Sequence, residues 1–148
     1  METILYLEDD ANLRKWNAAQ LREKNYIVQD FYRVDQAKEY FAENETKISL
    51  VVTDLNMEDN WLESYQNESC GGYLSGWVWL EHFVYTKTPN MPTIIYSAYN
   101  DLLKQEKSSA LWLKSNIVFV DKGDDEDKGF QGLLSAMAKM LAPKGEYK

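Results

Sequence analysis

Apolar and polar residues alternate in blocks along the chain, and the apolar blocks predict five strands. Each block is short, rich in β-branched and aromatic residues, and bounded by charged or polar positions, which is typical of a buried strand. The predicted strands are 3–7 (TILYL), 26–31 (YIVQDF), 48–53 (ISLVVT), 93–97 (TIIYS) and 117–120 (IVFV). The second is the least apolar, so we expect it nearer an edge of the sheet.

Helical periodicity fills the segments between these strands. Apolar residues three and four positions apart predict helices over 10–24, 34–41, 76–85 and 130–141, and a more polar helix beginning near Asn100. Asp10 is the predicted N-cap of the first helix. The predicted apolar stripe of the first helix consists of Leu13, Trp16 and Leu21. The stripe of the last helix consists of Phe130, Leu133, Leu134, Met137 and Leu141.

Alternating strands and helices predict an α/β fold, a doubly wound parallel sheet of five strands with helices on both faces. We expect one domain over residues 1–142 and a C-terminal tail over 143–148. A polar and aromatic stretch over residues 58–75 separates the third strand from the third helix, and it is longer than an ordinary connection. Two interpretations stay open. The stretch is a tolerated surface excursion, or it is a lid or partner contact built on Trp61, Tyr65 and Tyr73.

Composition narrows the function classes. The chain has 148 residues, of which 45% are hydrophobic, and a formal net charge of −8. That charge disfavours nucleic acid and anionic membranes as direct partners. Cys70 and His82 are the only residues of their types, which argues against a disulfide framework, a thiolate zinc cluster and a catalytic triad. No segment has the pattern of a leader or a membrane span, so we expect a cytoplasmic protein.

Chemically active side chains stand at the ends of four predicted strands. Glu8 and Asp9 follow the first strand, Asp54 follows the third, Ser97 ends the fourth and Lys122 follows the fifth. Because the carboxyl ends of parallel strands share one edge, we expect these side chains to converge. Clustered carboxylates repel each other, and Mg²⁺ would compensate their charge. Carboxylates, a hydroxyl and an ammonium together describe a phosphoryl-transfer site with Asp54 as nucleophile.

These segments, in this order, resemble the receiver domain of two-component response regulators (CheY-like). The resemblance runs through 4–10 (ILYLEDD), 51–57 (VVTDLNM), 94–98 (IIYSA) and 118–122 (VFVDK), and it covers nearly the whole chain. It implies a flavodoxin-like (βα)5 fold with strand order 2-1-3-4-5. It also implies a signalling domain rather than an enzyme, one that catalyses only its own phosphorylation and dephosphorylation. A histidine kinase or a histidine phosphotransfer protein would be the donor, and a protein effector would lie downstream.

The resemblance implies roles for the acidic residues and the lysine. Asp54 would be the phosphoacceptor. Mg²⁺ would be held by Glu8, Asp9 and Asp54 together with the backbone carbonyl of Asn56. Lys122 would pair with the transferred phosphoryl group.

It also implies how the phosphorylated state would be read. Ser97 would swing toward the phosphoryl group, and Ala98 and Asn56 would border it. Ser97 and Phe119 would act as the switch that changes the face formed by helix 4, strand 5 and helix 5. That face would contact the effector, and a homodimer through it is kept as an alternative.

The chain departs from the family pattern in three ways. The stretch after Asp54 delays the glycine that opens the third helix, Gly76, by roughly a dozen residues. Gly123 stands where the family commonly has a proline, and the fourth helix is polar in its middle.

Two other functions stay open. A degenerate receiver would serve as a phosphorylation-independent protein-interaction module, which the long stretch and Gly123 would suit. A Mg²⁺-dependent phosphatase or phosphotransferase with an Asp nucleophile would need a second acid two residues later for general acid catalysis. Asn56 occupies that position, which disfavours the phosphatase.

Overall fold

The computed structural model describes residues 1–57, 65, 67–106, 115–123 and 125–142, and within them strands and helices alternate. The strands are β1 (Thr3–Leu7), β2 (Ile27–Phe31), β3 (Leu50–Thr53), β4 (Thr93–Ser97) and β5 (Ile117–Asp121). The helices are α1 (Ala11–Glu23), α2 (Val34–Asn44), α3 (Ser75–Trp79), α4 (Asn100–Glu106) and α5 (Glu126–Met140). Helix α3 continues directly into one π-helical segment, Leu80–Val84.

All five strands lie in one parallel sheet with the order β2-β1-β3-β4-β5. This confirms the predicted doubly wound sheet and its strand order, and it puts β2 at an edge. The chain winds in one direction from β1 to β2 and in the other from β3 onward, so the direction changes between β1 and β3. Leu7 pairs with Thr53 there, and the N–H of Asp54 donates to Leu7 O at 3.0 Å. Glu8 and Asp54 therefore leave the sheet side by side.

The core is divided by the sheet into two layers, because successive side chains of a strand point to opposite faces. Leu5 and Leu7 of β1 face a layer completed by α2 and α3. Ile4 and Tyr6 of the same strand face the other layer, completed by α1 and α5. Each strand between the edges is thus covered on both faces, as expected for a parallel sheet.

The predicted apolar stripe of α1 is partly wrong. Leu21 is buried, but Trp16 is 45% exposed and Leu13 is only half-buried. The buried face contains Arg14 and Asn17 instead.

Both polar residues have partners, which explains their burial. The amide of Asn17 donates to the Tyr6 hydroxyl at 2.9 Å, and Arg14 Nη1 donates to the backbone oxygen of Glu8 at 3.0 Å. Trp16 packs edge to face on Phe130 of α5, with ring centroids 5.2 Å apart.

Other element boundaries differ slightly from the predictions. The second and third strands begin at Ile27 and Leu50 rather than at Tyr26 and Ile48, although Ile48 is still buried. The predicted third helix is a short α-helix followed by the π-helical segment. The predicted cap of α1 is confirmed, because the Asp10 side chain accepts the N–H of Leu13 at 3.1 Å.

Parts of three predictions lie outside the described residues. These are the tail over 143–148, most of the first half of the stretch over 58–75, including Trp61, and the polar part of the fourth helix beyond residue 106. Among the helices that the structure describes, none is long and apolar enough to cross a bilayer.

Candidate functional site

Glu8, Asp9 and Asp54 form an acidic cluster where β1 and β3 end. Ligand-type oxygens of the three carboxylates all lie within 4.8 Å of one another. Glu8 is fully buried and Asp54 is 5% exposed, whereas Asp9 is exposed. Arg14 holds the backbone at Glu8 in place, because it donates to the backbone oxygen of Glu8 and also pairs with Asp30 of β2. The strand ends thus bring together the acids predicted for this edge.

Lys122 reaches this acidic cluster from the far side of β4. Its Nζ lies 2.6 Å from Asp54 Oδ2, to which it donates a hydrogen bond, and 2.6 Å from Glu8 Oε1. The same Nζ lies over the ring of Tyr96, 5.7 Å from its centroid. One ammonium is therefore shared between two carboxylates of different strands.

The loop that carries Lys122 is shaped by two glycines. Gly123 has a φ of +67°, a left-handed conformation that glycine adopts without strain. Helix α5 then begins so close that a Cβ on Gly129 would lie 2.3 Å from the backbone oxygen of Lys122. Glycine in place of the expected proline still yields a loop that delivers the lysine to Asp54.

Burial and mutual repulsion shift the pKa values of the cluster. Burial, and then the charge of Asp54, raise the pKa of Glu8 to about 8 despite the opposing effect of Lys122. The same two causes raise the pKa of Asp9. Burial lowers the pKa of Lys122, but Asp54 and Glu8 outweigh it and the net shift is upward. Three carboxylates thus face one ammonium, and the site favours additional positive charge, whether a proton or a metal ion.

Asp54 is held in place by its own loop and by α3. Its Oδ1 accepts the N–H of Leu55 at 2.6 Å, and its backbone oxygen accepts the hydroxyl of Thr53 at 2.9 Å. The indole of Trp79 in turn donates to the Thr53 hydroxyl at 3.3 Å. The N–H of Gly76 donates to Leu55 O at 2.9 Å, so α3 begins directly against the loop that follows β3 and carries Asp54.

Ser97 ends the neighbouring strand β4 and is fully buried. Its hydroxyl oxygen accepts the N–H of Tyr99 at 3.0 Å, and its backbone oxygen accepts the N–H of Lys122 at 3.3 Å. Ala98 is exposed next to it, and Asn56 is half-buried after Asp54. Ser97 is thus tied to the lysine loop through its backbone and to the start of the α4 connection through its side chain.

The remaining predicted residues lie around this centre. Phe119 is half-buried on β5, with Lys104 Nζ of α4 5.1 Å from its ring centroid. Tyr73, from the long stretch before α3, packs against Tyr99 with ring centroids 5.4 Å apart. The part of that stretch nearest to α3 therefore touches the residue whose N–H is bound to Ser97.

Four residues of the site were not found from the sequence, namely Arg14, Thr53, Trp79 and Tyr99. Thr53 carried a weak signal, a hydroxyl in an otherwise apolar strand directly before an acid. Arg14 carried none, because its partner is a backbone oxygen presented by another element. The sequence identified Trp79 and Tyr99 only as aromatic residues and did not indicate which residues they contact.

No protein-family model matches this chain, and no curated protein matches its sequence. Solved structures do match, and many of them are response regulator receiver domains. The response regulator receiver domain from Clostridium thermocellum is 20% identical with a TM-score of 0.65, covering 94% of this chain and 96% of that chain. The non-phosphorylated HemR receiver domain from Leptospira biflexa is 19% identical with a TM-score of 0.67, covering 99% and 100%.

The response regulator TrrA from Thermotoga maritima, solved in complex with Mg²⁺ and BeF, is 20% identical with a TM-score of 0.65. That match covers 95% of this chain and 100% of the other. The chain therefore has the receiver-domain fold over nearly its whole length.

Proposed function

We propose that this chain is a phosphoacceptor receiver domain of a two-component phosphorelay, in which Asp54 takes a phosphoryl group from a histidine kinase or a histidine phosphotransfer protein. The observation that carries the proposal is the contact of Lys122 Nζ with both Asp54 Oδ2 and Glu8 Oε1, at 2.6 Å each. An acceptor carboxylate, a second acid and a cation stand together at the switch point of a receiver fold. Ligands of open parallel sheets bind at this point.

The acidic cluster fits Mg²⁺. Its three carboxylates offer oxygen ligands within 4.8 Å of one another, and the ammonium of Lys122 is the cation that contacts both Glu8 and Asp54. Glu8, Asp9 and Asp54 would hold the ion together with the backbone carbonyl of Asn56, and water or phosphoryl oxygens would complete an oxygen shell. When bound, Mg²⁺ would neutralise charge on the transferred phosphoryl group. TrrA, a protein of the same fold, binds Mg²⁺ with BeF.

Phosphoryl transfer needs one bond made and one broken. A carboxylate oxygen of Asp54 forms a bond to phosphorus while the P–N bond of the donor phosphohistidine breaks, and the imidazole nitrogen leaves with the electron pair. Lys122 then pairs with a phosphoryl oxygen, since its ammonium is already beside Asp54. A preplaced charge of this kind lowers the barrier without a later reorganisation cost.

The phosphorylated state would be read through Ser97. Its hydroxyl would no longer accept the N–H of Tyr99 and would donate to a phosphoryl oxygen instead. The small side chain of Ala98 would leave room for the phosphoryl group. The connection to α4 then moves, and with it the packing of Phe119 under Lys104. The α4–β5–α5 face would thereby change for a protein effector.

Incubation with Mg²⁺ and acetyl phosphate tests the proposal. Intact mass should show one phosphoryl group per chain, with acetate leaving as the P–O bond of the donor breaks. Asp54→Asn should abolish the adduct, and Asp121→Asn, which removes an exposed carboxylate at the end of β5, should retain it. If the aspartyl phosphate hydrolyses before it can be detected, beryllofluoride provides a second test, because it binds at the acceptor aspartate and is not hydrolysed. Absence of both the adduct and a beryllofluoride complex would refute the proposal.

A further inference from the structure

A second group of ligand-type side chains lies outside the acidic cluster. Glu68 belongs to the stretch before α3, and Glu81 and His82 belong to the π-helical segment. One ligand atom from each lies within 4.8 Å of the other two. His82 Nε2 is 3.2 Å from Glu68 Oε2 and 4.0 Å from Glu81 Oε1. We call these three residues the histidine cluster.

Both carboxylates of the histidine cluster are directed at the same ring nitrogen. Adjacent residues of a helix do not normally face each other, yet Glu81 and His82 bring their side-chain ends together beside Glu68. The backbone between them is π-helical, a geometry that is found frequently at functional sites. The ends of the two side chains therefore lie 4.0 Å apart although the residues are adjacent in the helix.

Aromatic packing orients the imidazole. The Tyr65 ring lies 4.8 Å from the His82 ring and 6.1 Å from that of Phe83, so it covers one side of the histidine. Side-chain exposures of 33% for His82, 44% for Glu68 and 30% for Glu81 leave solvent access to the cluster. An ion can thus enter, and one ligand is already held in a fixed direction.

The donor set and the spacing select the kind of ion. Imidazole nitrogen with carboxylate oxygen suits Zn²⁺ and related transition metals, whereas Mg²⁺ prefers oxygen alone. Zn²⁺ binds such atoms at about 2.0–2.2 Å, which separates tetrahedral ligands by roughly 3.4 Å. The separations of 3.2 Å and 4.0 Å lie on either side of that value. Two carboxylates and a neutral imidazole would balance a divalent ion.

We propose that Glu68, Glu81 and His82 form a binding site for a divalent transition-metal ion of the Zn²⁺ class, separate from the acidic cluster that would hold Mg²⁺. The ion would tie the stretch before α3 to the π-helical segment. That stretch also packs on Tyr99 through Tyr73, and α3 itself begins against Asp54. The site would therefore fix the segment in which this chain departs most from other receiver domains.

Calorimetric titration with ZnCl₂ in excess Mg²⁺ tests the site, because excess Mg²⁺ would compete with Zn²⁺ for the acidic cluster. All titrations use the Cys70→Ser variant as the parent protein, because this substitution removes the only thiol of the chain. One Zn²⁺ per chain is expected. His82→Gln and Glu68→Gln should each weaken binding by at least the roughly tenfold loss typical of residues that merely support metal ligands. Glu23→Gln, the same charge change at an exposed residue of α1, should leave it unchanged.

Proton NMR supplies a readout that does not depend on the variants. His82 is the only histidine, so its ring resonances report on this site alone. Zn²⁺ should shift or broaden them in the parent protein, and Mg²⁺ should not. The proposal is overturned if Zn²⁺ leaves these resonances unchanged. Equal losses of affinity in Glu23→Gln and Glu68→Gln would also overturn it, because general charge and not a ligand would then be responsible.

Discussion

The backbone oxygen of Asp54 occupies the space that a side chain on Gly76 would need. A Cβ at Gly76 would lie 1.8 Å from that oxygen, far inside any real contact distance. An unusually long stretch separates Asp54 from Gly76 in the sequence, yet α3 begins against the loop that carries Asp54. The long stretch is thus accommodated without separating α3 from the site.

Gly76→Ala should lower the free energy of unfolding by about 2 kcal/mol, because backbone atoms have to move to admit the methyl group. It should also slow phosphorylation of Asp54 by acetyl phosphate, since a shift of α3 would displace the backbone of Asp54 and Leu55 that it contacts. Urea denaturation and intact mass measure the two effects. Gly132→Ala is the matched control, because its Cβ meets only a side-chain methyl of Val120 at 3.3 Å. It should be neutral or stabilising by up to about 1 kcal/mol. Equal effects of the two substitutions would contradict close packing of α3 on Asp54.

In the absence of metal, deprotonation of Glu8 should lower the free energy of unfolding as pH rises. Burial and Asp54 raise its pKa from 4.5 in the unfolded chain to about 8 in the fold. The folded protein then binds this proton more tightly, so the contribution is complete below the unfolded pKa and is lost as pH rises through about 8. Asp9, whose pKa is also raised, acts in the same direction.

Denaturant titrations in EDTA between about pH 5 and pH 9 check this slope. Glu8→Gln should flatten it, because the amide does not titrate. Mg²⁺ should restore more stability at the alkaline end than at the acidic end, since it competes with the proton on Glu8. A slope that is unchanged in Glu8→Gln would assign the titration to another group.

Removal of the Lys122 ammonium should cost most where Glu8 is ionised. Lys122→Ala leaves two buried carboxylates without their shared cation, and a loss of roughly 3 kcal/mol is expected near pH 9. The loss should shrink near pH 6, because a proton on Glu8 then replaces part of the missing charge. Urea denaturation at both pH values measures the difference. Lys128→Ala removes an exposed lysine from the first part of α5 and should change stability by no more than about 0.5 kcal/mol. A cost of Lys122→Ala that does not vary with pH would argue against the shared charge.

Ser97→Ala should separate phosphorylation from its consequences. The substitution removes the acceptor of the Tyr99 N–H and should cost about 1 kcal/mol of stability. Asp54 should still be modified. In the wild-type protein, beryllofluoride should shift the Tyr99 amide resonance as Ser97 exchanges its partner, and in Ser97→Ala this shift should be much smaller. Ser97→Thr keeps the hydroxyl and should retain the full shift. Identical shifts in all three proteins would show that Ser97 does not transmit the change.

The pattern of the chain was sufficient to predict the sheet and the side chains at its carboxyl edge. Strands of this kind are short and continuously apolar because both their faces are buried, so Glu8, Asp54 and Lys122 are conspicuous where the apolar runs end. The strand order came from the resemblance to receiver domains and is confirmed. The roles of the site residues stay predictions until phosphorylation is measured.

Periodicity failed where polar residues find distant partners. The buried face of α1 includes Asn17 because Tyr6 lies opposite it, and Arg14 because Glu8 presents a backbone oxygen. A pattern of apolar positions contains no information about such partners, so Trp16 was placed on the wrong face. The change from α3 to a π-helical segment at Leu80–Val84 was equally invisible in that pattern.

The sequence by itself determined which groups reach the edge of the sheet, since alternating strands and helices impose a parallel topology that collects strand ends. Only the tertiary structure decided the distances. Lys122 meets Asp54 across 68 positions of the chain, and Glu68 meets His82 across 14. Contacts of this kind depend on the path of the intervening loops and on the packing of the helices that close them. Local spacing along the sequence does not encode the loop paths or the helix packing. Both determine the distances between charges, and therefore how strongly the charges interact.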